Sequence, residues 1–281
     1  MPVSDAIVFY YCDLDASDVP TRRAVGQKWV FWSLESPTNC EMRPLLSWRT
    51  AINWTMTYRL DSDILDTYGS ITPKTVPKFH SFDRLRENWR QKKIMALWPV
   101  SHCHTFGKRE HFVEELRKYM RVDIYGHCGN YTCPRGTKCH QKFAKEYFFL
   151  LSFENTICKD YVTEKLYFTL QFDIIPVTFG GADYKALAPP HSYIDALEFK
   201  TPKDLAVYLK QVSEDFDLYK IYFAWKGVYD VKHWVYYTFC NLCAKLYSNS
   251  FTEHSVYPDI VHWWNDTSQC RAWNRQTMQL S

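Results

Sequence analysis

The sequence predicts an α/β protein built on parallel sheets, and three observations carry that prediction. Short continuous apolar runs, such as residues 147–153 (YFFLLSF), have the length and composition of strands buried on both faces. Segments between such runs place apolar residues at helical spacing, as at Phe112, Val113 and Leu116. The connections are short, so strand and helix patterns alternate.

Taken in order, residues 6–11 (AIVFYY) read as a buried strand, and 28–34 (KWVFWSL) as a second that stops at Glu35-Ser36-Pro37. Residues 53–58 (NWTMTY) alternate and give a third. From Asp61 to Arg90 the chain turns polar and carries Gly69, Pro73 and Pro77, which predicts an inter-domain linker. A second block opens with a strand over 94–100, broken at Pro99. A helix over 109–120 follows, with Phe112, Val113, Leu116, Tyr119 and Met120 on one face, and then a strand over 122–125. A cysteine-rich loop (128–142) leads into the run at 147–153. Next come a helix over 163–172 and a strand over 174–179 that ends at Gly180-Gly181. Thr201-Pro202-Lys203-Asp204 combines a capping Thr, Pro at the first helical position and an acid in the first turn; Leu205, Tyr208, Leu209 and Val212 then form the buried stripe. The expected division is an N-terminal half with its linker (1–90), a second half (91–245) and a cysteine-containing tail (246–281), the halves being Rossmann-like and facing a cleft.

With 46% hydrophobic and 23% charged residues the composition is that of a globular chain, which excludes a disordered one. A net charge of +3 is too mild to argue for nucleic acid as a partner. Aromatic residues reach 17%, an excess that serves either an aromatic core or stacking on sugar faces. Ten cysteines and three glycosylation sequons, at Asn53, Asn130 and Asn265, favour the secretory pathway and disulfides. No run reaches the roughly 18–20 apolar residues that span a bilayer, and no signal-peptide pattern follows Met1.

Chemistry-bearing residues are densest at 152–165 (SFENTICKDYVTEK), between a buried strand and a helix. In open α/β sheets ligands sit at the carboxyl ends of strands, beside helix N-termini. Lys165 in the first turn of that helix suits a diphosphate, and Glu164 is an acceptor-only group suited to sugar hydroxyls. The same pattern also fits a solvated helix surface. His102-Cys103-His104 reads as chance proximity rather than a zinc site. Cys128, Cys133 and Cys139 surround a glycine-containing loop, while Cys240, Cys243 and Cys270 cluster near the end. Cys240-x-x-Cys243 fits a redox pair, a zinc half-site or disulfide partners.

FENTICKDYVTEK resembles the signature of the α1,3-fucosyltransferases, glycosyltransferase family 10. The resemblance extends to KWVFWSLESP (28–37), NWTMTYRLDSDILDTYG (53–69), REHFVEELRK (109–118) and IIPVTFGGADYKALAPPHSYIDALEF (174–199), so it covers nearly the whole chain. It implies a two-domain GT-B fold whose C-terminal half holds GDP-fucose while the N-terminal half faces the acceptor. It also implies an inverting transfer of L-fucose from GDP-β-L-fucose, in α1,3 linkage, to N-acetylglucosamine of glycoprotein or glycolipid glycans. By the resemblance Glu35 is the general base, and Arg109 contacts the donor phosphates. Asn155, Tyr161, Glu164 and Lys165 are donor-binding, with Lys165 near phosphate and Glu164 near ribose. No tightly bound cofactor is implied, although manganese stimulates some members. Sequons and resemblance together favour disulfides, one of them to Cys270.

Members are Golgi proteins with a single N-terminal membrane anchor, which is expected in the full-length protein and outside this chain. The start of the chain, SDAIVFYY, resembles a strand some way into the acceptor domain, so an incomplete N-terminal domain is expected. The competing readings are another nucleotide-sugar transferase, a truncated and inactive GDP- or glycan-binding relative, and a redox or zinc protein. Core and Lewis-type acceptors both remain open.

Overall fold

Alternation of side chains along a strand sends neighbouring residues to opposite faces of a sheet, and the central strands of this chain bury both. The structure, a computed structural model, describes residues 4–78, 81–133, 137–233, 238–248 and 256–281. The chain falls into two units: one is formed by 1–68, 158–161 and 234–270, the other by 69–157, 162–233 and 271–281.

The first unit holds a four-stranded parallel sheet of β1 (Ala6–Tyr10), β2 (Lys28–Ser33), β3 (Trp54–Thr57) and β4 (Ile64–Leu65), paired in that order. Trp29 and Phe31 of β2 pack on one face with Tyr11, Trp48, Tyr58, Tyr161, Ile260 and Trp264. Val30 turns to the other face and packs with Trp54, Met56, Ile64 and Leu242, the last from helix Thr238–Leu246. Trp264 is fully buried, its ring centroid 5.1 Å from that of Phe31 and 5.6 Å from that of Tyr58. Residues 256–270 therefore supply core to this unit and are not the separate tail expected at 246–281.

In chain order the second unit comprises β5 (Gly69–Pro73), α1 (Asp83–Gln91), β6 (Ile94–Pro99), α2 (Arg109–Leu116), β7 (Val122–Tyr125), α3 (Thr137–Glu146), β8 (Tyr147–Phe153), α4 (Glu164–Thr169), β9 (Ile175–Phe179), α5 (Tyr184–Leu187), β10 (Ile194–Asp195), α6 (Pro202–Glu214), α7 (Phe216–Ile221) and β11 (Tyr229–His233). Its main sheet is parallel, in the order β10-β9-β8-β6-β7. On one face Ala96, Phe149, Leu151 and Val177 pack with Phe112, Val113 and Leu116 of α2 and with Leu205, Leu209 and Val212 of α6. On the other, Leu97 and Leu150 pack with Phe143 of α3. Thr201 caps α6 as expected, its hydroxyl accepting from Asp204 N at 3.2 Å.

Several sequence expectations are corrected. The stretch 61–90 is not a linker: it contains β4, β5 and α1. β5 pairs antiparallel with the distant β11, and α1, within a polar stretch, sets only Leu85 and the partly buried Trp89 against the core. The first boundary consequently lies at 68/69 rather than 90/91. The cysteine-rich loop contains most of α3. α2 ends at Leu116, which leaves Tyr119 51% exposed instead of on the buried face.

The disulfides are Cys12–Cys40, Cys103–Cys128, Cys133–Cys139 and Cys158–Cys270. Cys240 and Cys243 are exposed and free, so neither is the partner of Cys270. Among the described residues no helix is long and apolar enough to cross a membrane.

Candidate active site

In the second unit β6 leads to β7 on one side, and the chain then returns to β8 on the other. The connections leaving the carboxyl ends of β6 and β8 thus diverge, and in open α/β sheets this switch point is where ligands bind. Arg109 opens the helix that follows β6, and Glu164 and Lys165 open the helix that follows β8. The sheet topology places these three residues beyond the carboxyl ends of two adjacent strands.

The two connections are tied together there. Gly107 N donates to Asn155 O at 2.9 Å, and a Cβ on Gly107 would stand 3.0 Å from that oxygen, so the close approach favours glycine. Thr105 donates through its N and hydroxyl to the Glu110 carboxylate at 3.1 and 2.9 Å, which shapes the turn into α2. Arg109 is buried, and its guanidinium donates to Phe153 O at 2.5 Å and to His102 O at 3.4 Å. It braces the end of β8 and places a positive charge near Lys165. Asn155 presents a buried Oδ1 that has no hydrogen-bond partner among the described residues.

The residue that organises this cluster is Glu154, which sequence reasoning passed over although it stands inside the quoted signature. Only 1% exposed, it accepts from Thr163 N at 2.8 Å, from the Thr163 hydroxyl at 2.8 Å and from Lys165 Nζ at 3.1 Å. Lys165 Nζ also donates to the Thr163 hydroxyl at 2.6 Å and reaches Glu164 at 3.5 Å. Burial and the nearby Arg109 charge push the Lys165 ammonium down, but the Glu154 and Glu164 carboxylates outweigh them and leave its pKa raised. The lysine is therefore a held cation whose side chain keeps 26% exposure. The start of α4 is already occupied by the protein's own carboxylate, so its backbone N–H groups are less open than the sequence suggested.

Glu35 stands in the first unit, just beyond the carboxyl end of β2. Ser33 Oγ donates to Glu35 O at 2.9 Å, and Tyr68 OH donates to Leu34 O at 2.9 Å, which fixes the backbone of the turn. Asn39 Nδ2 and Tyr161 OH both donate to Glu35 Oε2, at 2.8 and 3.1 Å. Glu35 is half-buried, and its Oε1 has no protein partner among the described residues. Tyr161, which the resemblance groups with the donor-binding positions, belongs to the same unit as Glu35 and touches it.

Among the sequons, Asn130 is exposed and Asn265 half-buried. Asn53 is 6% exposed, and its Oδ1 accepts from Trp29 N at 2.8 Å, so the folded chain leaves no room for a glycan there and Asn53 is withdrawn as a candidate. Cys103 is bonded to Cys128, which removes the thiolate from the His102-Cys103-His104 cluster. Among the described residues no group of three or more His, Cys, Asp or Glu is placed to hold a metal ion.

Comparison with known proteins identifies a family and a shared fold. The model of the C-terminal region of glycosyltransferase family 10 (fucosyltransferase) matches residues 89–263, and that of the fucosyltransferase N-terminal region matches residues 1–69. The chain is 39% identical to alpha-(1,3)-fucosyltransferase C of Drosophila melanogaster, over 96% of this chain and 67% of that protein. It is 37% identical to glycoprotein 3-alpha-L-fucosyltransferase A of the same species, over 79% of this chain and 45% of that protein. Against the human 4-galactosyl-N-acetylglucosaminide 3-alpha-L-fucosyltransferase FUT5 the identity is 33%, over 93% and 69%. The chain thus spans about two thirds of the length of two of these relatives and under half of the other. A crystal structure of an α1,3-fucosyltransferase with GDP-fucose shares the fold, with a TM-score of 0.55 at 18% identity, covering 91% of this chain and 80% of that one.

Proposed function

The chain belongs to glycosyltransferase family 10, the fucosyltransferases, and from that membership we propose that it transfers L-fucose from GDP-β-L-fucose, with inversion, to O3 of N-acetylglucosamine in glycoprotein or glycolipid glycans. The observation that carries the reading is the Glu35 carboxylate, fixed through one oxygen and open at the other.

Inversion is a single displacement. The acceptor hydroxyl gives its proton to Glu35 Oε1 as its oxygen bonds to the anomeric carbon, and the bond from that carbon to the β-phosphate oxygen breaks. The carbon is oxocarbenium-like at the transition state, and a base of this kind contributes about 10²–10⁴-fold. The electron pair leaves with GDP, whose growing negative charge is met by the Lys165 ammonium and by the fixed charge of Arg109. Both are held before substrate arrives, so little reorganisation is needed during reaction. Asn155, through its buried Oδ1, and Glu164 supply acceptors for hydroxyls of the nucleotide sugar.

The reading extends to a full-length protein that works in the Golgi lumen as a single-pass type II membrane protein. No tightly bound metal belongs to the proposal. Manganese, if it stimulates the reaction, would do so by supplying positive charge to the donor diphosphate, and a rate that chelation lowers without abolishing would accord with that.

The test is fucose transfer by the purified chain from GDP-fucose to a panel of N-glycan core and N-acetyllactosamine acceptors, with GDP and UDP as competitors. Transfer that GDP inhibits and UDP does not is the expected result, and the preferred acceptor then assigns the subclass. Absence of transfer to every acceptor contradicts the proposal.

A further inference from the structure

Within the signature of this chain the assignment to units changes twice, and the four residues 158–161 stand apart from their neighbours. They are fastened to the first unit by several independent ties. Cys158 is bonded to Cys270, and Lys159 N donates to Ser268 O at 2.8 Å. Lys159 Nζ meets Asp61 at 3.3 Å, and Leu60 N donates to Asp160 Oδ2 at 3.2 Å. Asp61 is gripped in turn by Arg59, which is 1% exposed and lies over the Trp263 ring at 4.2 Å. The Tyr161 ring sits edge-on to Tyr58, centroids 4.9 Å apart.

All of this fixes one hydroxyl, and that hydroxyl donates to Glu35 Oε2 at 3.1 Å. A second donor reaches the same oxygen by a local route. Ser36-Pro37-Thr38-Asn39 makes a single tight turn, with Asn39 N donating to Ser36 O at 3.0 Å, and this folds the Asn39 side chain back to Glu35 Oε2 at 2.8 Å. The two donors also touch, Asn39 Nδ2 lying 3.4 Å from Tyr161 OH. Both are neutral. They fix the plane of the carboxylate without supplying a counter-charge and leave Oε1 for the acceptor hydroxyl, an arrangement that places a proton acceptor in advance of substrate.

We infer that Tyr161 and Asn39 are positioning residues for Glu35. The inference rests on the reading of Glu35 as the general base. A ring buried among aromatics is also what an ordinary core tyrosine looks like; the hydroxyl on Glu35 and its convergence with Asn39 distinguish this one.

The experiment measures steady-state fucose transfer, with GDP-fucose and acceptor varied separately, for wild type, Tyr161→Phe, Asn39→Ala and Glu35→Gln. Tyr161→Phe keeps the ring against Tyr58, and Asn39 is exposed, so folding is not at stake in the second variant. Each of the two is expected to lower kcat about tenfold while KM for GDP-fucose changes less than about twofold. A raised KM for GDP-fucose at unchanged kcat in Tyr161→Phe would place the residue on the donor and overturn the inference. Wild-type kcat in both variants, alongside a Glu35→Gln chain that has lost transfer, overturns the inference alone. A Glu35→Gln chain with wild-type kcat overturns the reading of the base and the inference with it.

Discussion

Glu35 and Glu154 are two carboxylates of this chain that accept hydrogen bonds at the ends of parallel strands, yet their surroundings differ in kind. Glu154 is fully buried, with both oxygens engaged by Thr163 and one also by the Lys165 ammonium. Glu35 is half-buried, held through one oxygen by two neutral donors and open at the other. A carboxylate whose oxygens are both engaged can hold the lysine in place for a ligand but has no free oxygen to offer one. One held through a single oxygen leaves the other accessible. Under the proposed function the two would divide the labour, with electrostatic holding of the donor assigned to the cluster around Glu154 and proton acceptance to Glu35.

The largest effect should come from the covalent tie of residues 158–161. Replacing Cys158 and Cys270 together by serine removes the closure of a 112-residue separation, worth roughly 4–5 kcal/mol on the chain-entropy account. It is expected to loosen Tyr161 and thereby lower kcat, with urea denaturation measuring the stability and transfer the rate.

Next comes the same substitution placed in each cluster. Glu154→Gln leaves Lys165 without its buried partner and should cost about 3 kcal/mol, the lower end for breaking such a pair because the lysine retains some exposure. Glu35→Gln keeps its neutral partners and should change stability by less than about 1 kcal/mol. Equal destabilisation by the two would break the distinction drawn between them.

Thr201→Ala lies outside both clusters and serves as the reference. It removes the cap of α6 at a cost of about 1 kcal/mol and should leave kcat unchanged.

The smallest effect is in the Asp61 clamp. Burial raises the Asp61 carboxyl, but the Arg59 hydrogen bonds and charge, with Lys159, hold it below its ordinary value of 3.8. Stability from a depressed carboxyl is present above the unfolded value and is lost as pH falls through the folded one. Wild type should thus melt slightly above Asp61→Asn at neutral pH, with the gap closing below pH 3.8. A gap that persists in acid would show that the clamp does not depend on the Asp61 charge.

The parallel strands of both sheets were legible because a strand buried on both faces must be continuously apolar, as 147–153 is. The cap at Thr201 was legible for an equally local reason. β5 and β11 were not: Tyr229–His233 alternates in burial, but over only five residues, and its partner Gly69–Pro73 is remote in the chain and does not alternate. Nor was α1, a helix that buries little. In the candidate site the resemblance drew attention to Lys165, but not to the acid that holds it. Glu154 follows an apolar strand and reads as its solvated end until the turn back to Thr163 is known. Asn39 escaped notice for the opposite reason: its partner is only four residues away, and nothing in Ser-Pro-Thr-Asn announces that the turn folds back on Glu35.

The division of labour is tested most directly by measuring GDP-fucose binding and fucose transfer on the same preparation of Glu35→Gln. The account predicts wild-type affinity for GDP-fucose, since the donor is held by the cluster around Lys165, together with a loss of transfer of about 10²–10⁴-fold. Transfer within a few-fold of wild type, or a loss of GDP-fucose binding that accounts for the missing activity, would contradict it.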